Sequence, residues 1–213
     1  MNSVILASII VAFLFDATFF LSLALIHQSN TKKLLNICNT FIFEETPGFK
    51  EKNTYLNYLH FFAVMVWLFP FIFYAANNVN SYPISLMIIA VLAAFCLATL
   101  PFIPLNKLRE HFYLDLGALV TLLALFGLEA FYCYRIYDVY LNGKGLAGMI
   151  IAISVIALLL VPIFNPKLFD LKNNKNEDGT YSRKKFIFLA FTEWMLYPIA
   201  LISLLPIFLI TMA

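Results

Sequence analysis

Six uninterrupted apolar runs constrain this chain more than any other feature. They cover approximately residues 4–26, 55–76, 83–104, 112–134, 146–165 and 186–210. A hydrocarbon core about 30 Å thick takes roughly 20 residues of helix to cross, and each run meets that length. Backbone N–H and C=O groups in lipid have no water to bond, so a continuous apolar run closes its own hydrogen bonds as helix. The runs show none of the outward-apolar, inward-polar alternation of membrane strands. The expected fold is all-α: a polytopic membrane helical bundle of about six transmembrane helices, forming one integral membrane domain over residues 1–213.

Composition excludes the other classes. Hydrophobic residues make up 62% of the chain and charged residues 12%, about half the charged share of soluble domains. So few charges cannot cover a water-facing globule, and disordered chains are polar rather than apolar. A net charge of +2 gives no concentrated basic field, so nucleic acid is not an expected partner.

Twelve of the fourteen Lys and Arg residues fall in the first, third and fifth connections: Lys32, Lys33, Lys50 and Lys52; Lys107 and Arg109; Lys167, Lys172, Lys175, Arg183, Lys184 and Lys185. Only Arg135 and Lys144 fall elsewhere. The positive-inside rule therefore places both termini away from the cytoplasm, in a plasma or inner membrane. Met1-Asn2-Ser3 lacks the basic start of a cleaved signal, so the first span is expected to be retained. Leu34, Leu35, Cys38, Phe41 and Ile42 recur at helical spacing beside Lys32 and Lys33, which predicts a surface helix over about 31–43. Residues 166–185 read as a solvated loop. Gly143, Gly145 and Gly148 read as a tight turn, and Pro70, Pro198 and Pro206 as kink sites.

Recognisable catalytic motifs are missing from the sequence. It contains no GxxxxGK[ST], GxSxG or HExxH, and Cys38, Cys96 and Cys133 make no CxxC pair. An enzyme is accordingly not the expected class. The chemistry-bearing residues are instead four acids inside the spans: Asp16, Asp115, Glu129 and Glu193. A charge at mid-bilayer costs about 2.5–3.5 kcal/mol on insertion scales, so intramembrane acids are functional candidates. Helical geometry puts Asp16 and His27 on one face of the first span. His60, Trp67, Phe71 and Tyr74 share a face of the second, and His111, Asp115 and Glu129 share a face of the fourth. Asp115, His27 and His111 map close to the cytoplasmic boundary, where Asp115 can reach headgroup water.

Three functional readings follow. The leading one is an ion- or proton-coupled transporter, channel or subunit of a membrane complex, with Asp16, Glu129, Glu193 and His60 as the pathway. The alternative is a redox or enzyme subunit holding a metal ion or b-type haem on His27, His60, His111 and Asp115. Leu59–Trp67 resembles the opening of small haem-associated membrane helices, but over nine residues it carries no residue role across. In the third reading the polar groups only dock neighbouring helices. The bilayer is the expected partner, together with further copies of the chain or other membrane subunits. The six runs divide as three plus three, as in inverted-repeat transporters, but the two halves give no sequence match.

Overall fold

A computed structural model describes residues 2–32, 34–37, 54–77, 81–103, 108–141, 143–165 and 188–211. Helices run over Asn2–Thr31 (α1), Thr54–Asn77 (α2), Ser81–Thr99 (α3), Leu108–Tyr140 (α4), Gly143–Phe164 (α5), Phe188–Ile202 (α6) and Leu204–Thr211 (α7), and a 3-10 turn at Leu100–Phe102 extends α3. No strand occurs among the described residues. Taken as one span, α6 and α7 bring the number of helices long and apolar enough to cross a membrane to six. The chain is a multi-pass helical membrane protein.

The helices outrun the apolar stretches that nucleate them. The 33 residues of α4 extend for about 50 Å at ~1.5 Å per residue, well beyond a ~30 Å hydrocarbon core. At the end of α1, Lys32 takes a left-handed φ of 57°, and its N–H returns to the Gln28 carbonyl at 2.9 Å. That left-handed cap stops the helix, and residues 34–37 continue without helical structure. The surface helix expected over 31–43 is therefore not present in its described part; residues 38–43, like the loop at 166–185, lie outside the described residues.

Gly143 opens α5 beside the reversal, with open space where a Cβ would go, but Gly145 and Gly148 pack helices rather than turn the chain. The reversal falls between Tyr140 and Gly143, with Leu141 at a φ of 48°. Gly145, Gly148, Ala152, Val155 and Leu159 then form the buried face of α5. A Cβ at Gly145 would stand 2.8 Å from the Cys133 carbonyl oxygen and 2.9 Å from the Tyr137 nitrogen, and one at Gly148 would stand 2.6 Å from Cys133 Sγ. Small residues spaced this way let two helix backbones touch, the main source of helix association in lipid. The turn expected at these glycines is thus corrected to a close α4–α5 contact, the most extensive helix pair in the bundle.

The sixth span is the most buried of the six, and it is broken. Ser203 lies between α6 and α7. Pro206 has no N–H for the Ile202 carbonyl, and its ring crowds that oxygen, so regular helix cannot continue through this point. The interruption is satisfied locally. Ser203 N–H reaches the Ile199 and Ala200 carbonyls, each at 3.2 Å, and Ser203 Oγ donates to Ala200 O at 2.6 Å. Trp67 Nε1 in α2 adds a further bond to the same oxygen at 2.7 Å. Irregular backbone at membrane depth is tolerated where protein groups re-bond it.

Candidate functional site

On α2, Asn57, His60, Val64, Trp67, Phe71 and Tyr74 recur at intervals of three and four residues and occupy one helix face; all six are buried. On α6, Glu193, Tyr197 and Ala200 share a face by the same spacing. The two faces meet. His60 Nε2 and the Tyr197 hydroxyl share a hydrogen bond of 2.6 Å. Phe19 of α1 packs 5.2 Å from the His60 ring, while Phe20 meets Tyr197 edge-on at 5.9 Å and Trp194 at 5.8 Å.

Three acids act on the tyrosine of this pair. Glu193, Asp115 and Asp16 all lie within electrostatic reach of the Tyr197 hydroxyl, so α1, α2, α4 and α6 each supply a polar side chain to one interior region. Glu193 and His60 are 0% exposed. Asp115, expected near headgroup water, is 2% exposed, and neither of its carboxyl oxygens has a hydrogen-bond partner among the described residues. Asp115 lies three residues inside the Phe112 end of its span, and it is the packing of the surrounding helices, not its place along α4, that covers it.

Glu129 stands apart. It too is 0% exposed with both oxygens unpartnered among the described residues. Its neighbours are Tyr82 and Cys133, which lie within its electrostatic reach. Tyr82 stacks on Tyr132 with ring centroids 3.8 Å apart and an interplanar angle of 11°, and its hydroxyl donates to the Leu128 carbonyl at 3.2 Å. Tyr74 hydrogen-bonds Tyr132. The fourteen residues from Asp115 to Glu129 rise about 21 Å. Ala118, Leu119, Leu122, Leu125 and Phe126, all buried, fill the interval. On α2 the same separation divides His60 from Tyr74, with Trp67 and Phe71 between them.

Of the four expected pathway residues, His60 bonds Tyr197 and Asp16 and Glu193 lie within electrostatic reach of it, whereas Glu129 neighbours Tyr82 and Cys133. The structure adds Asp115, which sequence reasoning had assigned to a metal set, and Tyr197, which it missed. The signal for Tyr197 was present: a tyrosine four residues beyond a buried acid, on the same helix face and inside a span rather than at its border. His27 is buried, but it lies eight residues beyond Phe19, about 12 Å farther along α1. The side chain of His111 lies outside the described residues. Among the described residues no three His, Cys, Asp or Glu side chains come close enough to share a metal ion.

Compared with family models, curated proteins and solved structures, the chain matches none.

Proposed function

We propose that this membrane protein moves protons or a small cation across the bilayer. Asp16, Asp115, Glu193, His60 and Tyr197 form the principal binding group, and Glu129 forms a second group toward the other end of the bundle. The observation that carries this reading is that acids from three different helices lie within electrostatic reach of the buried Tyr197 hydroxyl. Acids that merely dock helices are bonded to a neighbouring helix, whereas the oxygens of Asp115 have no protein partner among the described residues. A buried polar atom without a partner is costly to leave so, and such groups inside membranes mark ion or proton pathways. Carboxyl, imidazole and phenol groups each exchange protons and each offer lone pairs to a cation.

The test is a flux assay on the purified chain in proteoliposomes enclosing a pH-sensitive dye, driven by a potassium diffusion potential. Parallel arms use a sodium gradient and a sodium-free medium to distinguish the proton from a metal cation. The expected result is flux that Asp115→Asn and Glu193→Gln each lower by about 100-fold while the protein remains folded in detergent. Flux equal to protein-free vesicles in every arm, or undiminished flux in both variants, overturns the proposal.

A further inference from the structure

We infer that α6 is a swinging half-helix. It pivots at Ser203 into a groove beside α5, and the His60–Tyr197 and Trp67–Ala200 hydrogen bonds latch it in the position described above. Four observations converge on this segment. The helix is loosened at Ser203, whose N–H is shared between the Ile199 and Ala200 carbonyls at 3.2 Å each, the long limit for an amide. Pro198 lies inside α6 and has no N–H to add to the helical ladder. The helix therefore has two points at which its backbone hydrogen bonding is already weakened.

The second observation is unequal grip on the two halves of the span. Beyond the break, α7 lies close against α5 and α4; α6 comes close to α4 but approaches α5 far less. Large side chains such as Trp194 and Tyr197, rather than backbone contact, join α6 to α1 and α2. Helix pairs joined by small residues are fixed by their backbones, whereas rings can exchange one packing for another.

The third observation is room to move. A groove of about 220 Å³ separates α6 from α5, with Leu119 of α4 in its floor and Val161, Pro162, Phe191 and Met195 among its walls. The fourth is that the face of α6 turned toward α2 is held by two hydrogen bonds, His60–Tyr197 at 2.6 Å and Trp67–Ala200 at 2.7 Å. Latch and groove therefore act on the same helix. Movement into the groove takes Tyr197 from His60 and carries Glu193 away from the acids of α1 and α4. Ala200 O keeps its bond from Ser203 Oγ when the indole leaves, so opening the latch does not strand that oxygen.

This inference deepens the transport reading, because a swing of α6 changes what Glu193 and Tyr197 can reach. The experiment is a distance measurement that needs no transport. In a cysteine-free background, spin labels are placed at Phe164→Cys at the end of α5 and Phe188→Cys at the start of α6. Double electron–electron resonance is then recorded on the full chain in nanodiscs. The expected result is two separations. The shorter one gains population in Trp67→Phe, which keeps the ring and removes the N–H donor. It is lost in Val161→Trp, which fills the groove from its lipid-facing lip. A control pair at Ile150→Cys on α5 and Leu205→Cys on α7 keeps one separation throughout. A single unchanged α5–α6 distance in all three proteins overturns the pivot, and so does a control pair that shifts in parallel, because that reports general loosening. A swing without ion flux leaves the pivot standing and removes the transport reading; flux with a rigid α6 does the reverse.

Discussion

Around Glu129, α4 and α5 touch backbone to backbone, whereas at Tyr197 α6 meets α1 and α2 through side chains. Each region buries an acid, Glu129 in one and Asp115 in the other, whose oxygens have no hydrogen-bond partner among the described residues. At the Glu129 end, Gly145 and Gly148 bring α5 onto Cys133 and Tyr137, and stacked tyrosines fill the space toward α3. At the Tyr197 end, a broken span brings its acid and phenol to the site on α6, with a groove along one side of that helix. The contrast teaches that in lipid the mobility of a polar site depends on the size of the residues joining its helices. Small residues lock; large ones leave alternatives.

The most demanding prediction compares the two acids by function. Asp115→Asn is expected to lower flux by about 100-fold, the lower end of what one positioned proton-transferring group contributes. Glu129→Gln is expected to lower it by no more than about tenfold if the Tyr197 region is the principal group, since each decade corresponds to ~1.4 kcal/mol. Equal losses in the proteoliposome assay would erase the distinction and put the two groups in series with equal weight.

Packing gives the next largest effect. Gly145→Leu forces a side chain against the backbone of Cys133 and Tyr137 and is expected to destabilise the protein by about 1–3 kcal/mol, the usual cost of overpacking. Gly127 has open space where a Cβ would go, so Gly127→Ala is expected to be neutral or to stabilise by up to about 1 kcal/mol through helix propensity. Reversible unfolding in mixed micelles checks both. A similar response at the two glycines would break the claim that the α4–α5 contact is what fixes the Glu129 region.

Hydrogen bonds and ring contacts should yield less. Tyr197→Phe removes the partner of His60 Nε2 and is expected to cost about 1 kcal/mol, within the measured range for interhelical bonds in membranes. Tyr132→Leu removes the stack on Tyr82 and is expected to cost about 0.5–1.5 kcal/mol beyond its lost area. The comparison sharpens if Trp67→Phe is added to each. Its effect should combine non-additively with Tyr197→Phe, since both bonds hold α6, and additively with Tyr132→Leu.

Particular residues show how far the sequence could be read. His60, Trp67, Phe71 and Tyr74 were expected on one face of α2, and all four are buried, because a fixed helical repeat turns spacing into direction. Asp115 was expected to reach headgroup water, yet it is buried, because exposure depends on the helices packed around a residue and not on its place along the apolar run. Gly145 and Gly148 were read as a turn because glycine serves both turns and close helix contacts. Only the neighbouring helix tells the two apart. The break at Ser203 was announced by Pro206, but nothing in the local sequence says that Trp67, 133 residues away along the chain, bonds the carbonyl beside it.

The sequence by itself determined that this chain forms membrane-crossing helices and which face of each one carries polar groups. Both follow from local rules: hydrocarbon offers the backbone no other partner, and 3.6 residues per turn sets each face. The tertiary structure alone decided that His60 bonds Tyr197 within electrostatic reach of Asp16, Asp115 and Glu193, while Glu129 stands about 21 Å from Asp115 along α4. Which helices become neighbours depends on the fit of side chains between them, a property of pairs of surfaces that no single helix contains.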